Sequence, residues 1–100
     1  MEYAIRETGA DVEVQVKGRL TFSDHKTFRD IVKSLDSHRN KSWVIELSGL
    51  DFIDSAGLGM LLIVRDAASQ HGAKVVLRGA REQAKRLIQV ARFDSLFTVE

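Results

Sequence analysis

Neither cysteine nor proline occurs in this chain of 100 residues. The absence of thiols excludes disulfides, thiolate nucleophiles and zinc–sulfur sites, and suits a reducing compartment. Proline-rich linkers, repeats and low-complexity stretches are also missing, so residues 1–100 read as a single domain. An excess of one charge is lacking too, with 15 Lys and Arg against 14 Asp and Glu and a net charge of +1. A clustered basic excess is the usual mark of phosphate binding, so nucleic acid is not expected as the main partner. Arg81, Lys85, Arg86 and Arg92 do recur, but at helical spacing, and read as a solvated helix face. The longest apolar stretch, Leu58 to Val64 counting Gly59, falls far short of the ~20 residues of a membrane span. The opening MEYAIRETGADVEV has no apolar segment of the signal-peptide kind, and a cytoplasmic protein is expected.

What is present is ordinary for a chain with one core: 44% hydrophobic and 29% charged residues. Tyr3 to Arg6 reads as a short edge strand ended by Thr8-Gly9. Val12, Val14 and Val16 alternate with Glu13, Gln15 and Lys17, the period of a strand with one wet face. Gly18 is expected to break it, with Arg19 to Phe22 running on to Ser23-Asp24. Ser23 is the expected N-cap of a first helix, with Asp24 where the helix dipole favours an anion. Phe28, Ile31, Val32 and Leu35 then form one apolar stripe. A polar loop over residues 36–41 leads to Trp43–Leu47, a β-branched, nearly continuous apolar run of the kind found in a buried parallel strand. A second helix is expected from Asp54-Ser55 to about Gln70, closed by Gly72. Lys74–Leu77 is a further buried strand, followed by a turn at Gly79. Ala84, Leu87, Ile88 and Ala91 mark a third helix, and Leu96–Val99 a final short strand. Strands alternating with helices predict right-handed crossovers and an α/β fold. The expected sheet is mixed but largely parallel, with 4–5 strands packed against 3–4 helices and the first two strands paired directly.

The middle helix is unusual. Ala56 to Val64 carries no polar side chain, so its apolar residues cannot all share one stripe. A stripe through Leu58, Leu61, Leu62 and Arg65 excludes Met60, Ile63 and Val64. The helix is then either sandwiched inside the protein or presents apolar surface to a partner. Gly57 and Gly59, each costing ~1 kcal/mol relative to alanine in a helix, imply close approach by something, either the sheet or another chain.

Ser55 opens that helix, and three roles compete for it. Asp54 or Ser55 could cap the helix. As a nucleophile, Ser55 would need a base and an oxyanion site. His38 and His71 fall at the wrong edge, only His25 starts a helix nearby, and Gly-x-Ser-x-Gly is absent because Ile53 stands two residues before Ser55. An enzyme is therefore not expected. Gly57-x-Gly59 lacks a third glycine and no Gly-Lys-Ser/Thr follows, so no nucleotide or other cofactor is implied. As a phosphoacceptor, Ser55 would carry its phosphate at a helix N-terminus, where free N–H groups and the dipole tolerate it. That charge would sit in apolar surroundings, where it could switch docking off.

Leu50-Asp51-Phe52-Ile53-Asp54-Ser55-Ala56-Gly57-Leu58-Gly59 resembles the signature of STAS domains, the bacterial anti-sigma factor antagonists. The likeness extends to Gly18-Arg19-Leu20 before the first helix and to the strand at Trp43–Leu47. It implies partner switching, in which a kinase-type anti-sigma factor binds the unphosphorylated domain and phosphorylates Ser55, and a PP2C-type serine phosphatase resets it. It further implies a docking surface of Thr21, Ser23, Asp24, Asp54, Ala56, Gly57, Leu58, Gly59 and Met60, on a domain expected to be monomeric alone. Many antagonists have acidic residues in the pattern Gly-Glu-Leu-Asp, where Arg19 and Thr21 stand here. Two other classes compete: a constitutive scaffold or accessory subunit of a signalling or lipid-transport complex with Ser55 only a cap, and a small serine hydrolase.

Overall fold

The structure, a computed structural model, describes residues 1–38 and 42–100. Residues 39–41 of the expected polar loop lie outside the described residues. The chain runs β1 (Glu2–Thr8), β2 (Asp11–Leu20), a 3-10 turn at Phe22–Asp24, α1 (His25–Leu35), β3 (Ser42–Ile53), α2 (Ser55–Gln70), β4 (Lys74–Arg78), α3 (Glu82–Val90), a second 3-10 turn at Phe93–Ser95, and β5 (Thr98–Val99). The five strands form one sheet in the order β1-β2-β3-β4-β5. β1 pairs antiparallel with β2, while β2–β3, β3–β4 and β4–β5 are parallel. The mixed, largely parallel α/β sheet expected from the sequence is therefore present.

Strand periodicity decides where the helices lie. Val12, Val14 and Val16 are fully buried, and Val12 and Val14 pair in register with Trp43 and Ile45, which pair with Val75 and Leu77. These residues share one core with Phe28, Ile31 and Leu35 of α1, Met60, Leu61 and Val64 of α2, and Ala84 and Ile88 of α3. All three helices thus cover the same face. Val44 and Val76 point to the other face, yet are only 1% and 4% exposed. Glu13, in register with Val44, anchors ion pairs on that face: Arg6 to Glu13 at 3.3 Å and Arg78 to Glu13 at 4.0 Å, with Arg78 also 3.0 Å from Glu100. The Glu100 hydrogen bond, the largest influence, raises the Arg78 pKa further, so the guanidinium stays charged at any working pH. Long charged side chains can shield apolar surface with their stems in this way.

Four local expectations are corrected. Gly18 does not end its strand: it takes φ +85°, shifts the register against β3, and lets β2 continue to Leu20. A glycine in that conformation makes a bulge while pairing resumes beyond it. The strand expected at Trp43–Leu47 runs from Ser42 to Ile53, because β2 supplies partners as far as Leu20–Ile53. Ser23 does not cap α1. It sits inside the 3-10 turn, its hydroxyl 3.0 Å from that of Thr21, while the Asp24 carboxylate accepts from the Thr21 N–H at 2.9 Å. Ala91 is exposed, since α3 ends at Val90 and Arg92 turns the chain with φ +60°. By contrast, Gly72 takes the left-handed φ of +67° expected of it, and Gly79, expected to turn the chain, does so with φ +79°.

The buried stripe of α2 is Gly57, Met60, Leu61, Val64 and Ala68, which shares only Leu61 with the stripe drawn through Leu58, Leu61, Leu62 and Arg65. Leu58 and Leu62 are half-buried along its flank and pack on the core. The outer face of the helix is Ser55, Gly59, Ile63 and Asp66, with Ile63 39% exposed. Most of the helix is internal, and a narrower strip faces outward.

Candidate functional site

The parallel strands β2 and β3 end side by side at Leu20 and Ile53, so the loops that follow them emerge together. Asp54 ties those loops. Its N–H donates to the Leu20 carbonyl at 3.3 Å, and its Oδ2 accepts from the Phe22 N–H at 3.4 Å. Asp54 also has extended backbone angles, and its Oδ1 accepts from the Gly57 N–H at 2.7 Å. That is the geometry of an N-cap: an oxygen of the residue before the helix satisfies an N–H that lacks an intrahelical acceptor.

The helix cap therefore belongs to Asp54 and not to Ser55. Ser55 is the first residue inside α2, exposed, and its hydroxyl makes no hydrogen bond to the described residues. No histidine stands in hydrogen-bond contact with it among the described residues. His38 and His71 pair with Glu7 at 3.3 Å and Asp36 at 2.9 Å at the Trp43 end of the sheet, where the Trp43 indole N–H donates to the His38 carbonyl at 2.9 Å. The His25 ring, on α1, lies 6.2 Å from that of Phe22.

The glycines divide by role. A Cβ on Gly57 would stand 2.5 Å from the Leu20 carbonyl oxygen and 2.6 Å from Ile53 Cγ1. Gly57 thus lets α2 start tight against the ends of β2 and β3. A Cβ on Gly59 would meet nothing within 4 Å. Its backbone faces open space beside Ser55, and no packing inside the protein explains it.

The residues expected to form the docking surface are mostly brought together. Thr21, Ser23 and Asp24 flank Asp54, while Ala56, Leu58 and Gly59 are partly accessible around Ser55. Met60 and Gly57 are not on that surface. Met60 is 2% exposed and belongs to the core, and Gly57 is buried against the strand ends, because the α2 stripe turns both inward. Arg19 and Thr21 stand where the resemblance led acidic residues to be expected. The Asp24 carboxylate reaches back to the Thr21 N–H, which puts an anion at this loop after all, and Met1 brings its ammonium to the other oxygen at 3.4 Å. The Arg19 guanidinium lies over the Phe52 ring, 4.3 Å from its centre, on the neighbouring strand.

Two further residues contribute. Phe22, assigned to the run-on of a strand, is 72% exposed at the rim beside Asp54. A large aromatic next to turn residues was its available signal. Gln83, at the start of α3, accepts from the Ile53 N–H at 3.0 Å and donates to the Ile53 carbonyl at 2.8 Å. β3 pairs with β4 only as far as Glu46–Arg78, and the Gln83 carboxamide occupies the place of a missing strand. Arg81 does likewise at the Ser48 carbonyl, at 3.1 Å. Nothing in the sequence around Gln83 marks this role.

A five-stranded mixed sheet with three helices on one face, and a capped helix that carries an exposed serine after an aspartate, define the STAS class of α/β domain. Residues 3–98 match the family described as "Mlab, STAS domain", and the chain belongs to that family. A STAS-domain containing protein of Pseudomonas aeruginosa strain UCBPP-PA14 is 29% identical over 91 residues, covering 91% of this chain and 89% of that protein. An anti-sigma factor antagonist from Mycobacterium paratuberculosis superposes with a TM-score of 0.82 at 20% identity, over 98% of this chain and 83% of that one. The Bacillus cell fate determinant SpoIIAA, solved in its phosphorylated form, gives 0.74 at 14% identity, over 99% and 91%. At these identities the structural likenesses speak for the fold. Among the described residues, no helix is long and apolar enough to cross a membrane.

Proposed function

We propose that this domain is a non-catalytic partner switch: an antagonist that binds a kinase-type anti-sigma factor while Ser55 is unmodified and releases it once Ser55 is phosphorylated. The observation that carries the reading is the division of labour at the start of α2. Asp54 makes the capping bond, which leaves the adjacent hydroxyl exposed and unengaged. A hydroxyl with no structural duty can be modified at little cost to the fold. A phosphate there adds roughly −1.5 to −2 charges beside Asp54, where the dipole and the unpaired N–H groups of the helix tolerate it. Around it lie exposed Phe22, open Gly59 and partly exposed Ile63, an apolar rim in which a charge that must be desolvated would oppose docking. A loss of 1.4 kcal/mol is a tenfold loss of affinity, so one phosphate suffices for a switch. The phosphorylated form of the structurally similar SpoIIAA supports the same reading. A PP2C-type phosphatase would return the domain to its binding form.

The test is affinity capture with Ser55→Ala and Ser55→Asp, together with an in vitro kinase assay on captured partners. Ser55→Ala is expected to stay folded and hold a kinase-type partner constitutively, and Ser55→Asp to lose it. Phosphate at another residue, or identical partners for both variants, defeats the proposal. The rival reading is a constitutive scaffold or accessory subunit. In that case neither variant redirects any partner.

A further inference from the structure

Strand β1 ends the sheet, and all seven of its residues are exposed. The α1 crossover spans β2 to β3 and the α2 crossover β3 to β4, so neither helix covers β1. Tyr3 and Ile5 are on the helix-bearing face, in register with Val16 and Val14, yet are 46% and 38% exposed. Sheet proteins usually blunt such an edge with lysine, proline or a bulge. β1 contains neither residue, and its seven pairings with β2 run from Glu2–Lys17 to Thr8–Asp11 without a register shift. This is a regular edge with alternate backbone N–H and C=O groups pointing outward.

The sequence of that edge is complementary to itself in one antiparallel register. We infer that β1 pairs with β1 of a second copy about a two-fold axis through Ala4, joining two sheets into one. This register sets Glu2 opposite Arg6 of the second copy, and Tyr3 opposite its Ile5, with both exchanges made twice. Opposite charges and an aromatic–β-branched pair are the cross-strand combinations that stabilise sheets. An axis normal to the sheet keeps helix-face residues opposite helix-face residues, and the competing centres of that kind fail. Centring on Ile5 sets Tyr3 against Glu7 and Ala4 against Arg6, and centring on Tyr3 sets Glu2 against Ala4. Glu2 has no ion pair among the described residues. Arg6 bonds Glu13 at 3.3 Å with its side chain 66% exposed, and its remaining N–H groups are free for a second carboxylate. This association replaces the expectation of a lone monomer. It does not involve the Ser55 end of α2, and so stands independently of the switch proposed there.

One strand pair is a small interface, so association is expected to be reversible across about 1 μM to 1 mM. The experiment is sedimentation velocity over that range on wild type, Arg6→Glu, and the charge exchange Glu2→Arg with Arg6→Glu, with thermal melts to show that each is folded. Wild type should form a dimer. Arg6→Glu should weaken it at least about tenfold, and the exchange should restore it. Because the chain has no cysteine, Ala4→Cys gives an independent reading. The two introduced thiols would face each other across the axis at a Cα spacing of about 4.5–5.5 Å, within disulfide reach. The same change made at Thr8 would leave the two sites roughly 27 Å apart along the strands. Ala4→Cys should crosslink under mild oxidation and Thr8→Cys should not. A wild type that stays monomeric at every concentration overturns the inference. So does a dimer indifferent to Arg6→Glu, or equal crosslinking at the two positions.

Discussion

The Gln83 carboxamide holds both backbone groups of Ile53, accepting from the N–H at 3.0 Å and donating to the carbonyl at 2.8 Å. One side chain thereby finishes the edge of β3 where β4 has already stopped, and steadies the residue that precedes Asp54. Replacing Gln83 by alanine leaves both groups without partners. It should lower stability by about 2 kcal/mol, read as a shift of the urea midpoint at unchanged slope.

The cap gives a paired prediction. Asp54→Ala removes the bond to the Gly57 N–H and should cost about 1 kcal/mol in urea unfolding, whereas Ser55→Ala should move stability by less than about 0.5 kcal/mol. Equal losses at the two positions would mean that Ser55 shares the capping.

Gly57 and Gly59 should respond oppositely to alanine. At Gly57 the new methyl collides with the Leu20 carbonyl oxygen and Ile53, and overpacking of this kind costs about 1–3 kcal/mol. At Gly59 it enters open space and gains helix propensity, worth up to about 1 kcal/mol. Thermal melts of the two variants separate these effects. If the docking surface proposed above is used, Gly59→Ala should also weaken partner binding while raising the melting temperature.

Phe22 is 72% exposed, too much for its ring to matter greatly to folding. Phe22→Ala should leave the melting temperature nearly unchanged and weaken capture of a kinase-type partner about tenfold, measured by titration calorimetry. Unaltered affinity would remove Phe22 from the rim.

Much of the fold could be read from local pattern. Val12, Val14 and Val16 announced a one-faced strand, Phe28, Ile31 and Leu35 a covering helix, and Gly72 and Gly79 their turns, because each reports a short-range rule of periodicity or steric freedom. The motif Asp54-Ser55-Ala56-Gly57-Leu58-Gly59 also placed the start of α2 correctly. Other assignments failed where a distant element intervened. Gly18 looked like a stop, and became a bulge because β3 offered further pairing beyond it. Met60 looked like part of a docking surface, and turned inward because the buried stripe of α2 runs through Gly57 and Val64.

By itself, then, the sequence determined the element order, the strand faces, the buried stripe of α1, and the serine at the head of the middle helix. These follow from interactions between residues close in the chain. How Asp54 ties the loops after β2 and β3 together, which glycine is needed for packing, and how Gln83 completes β3 depended on the tertiary structure. Each turns on a contact between segments that meet only after the sheet has formed: Asp54 with Phe22, Gly57 with Leu20, and Gln83 with Ile53.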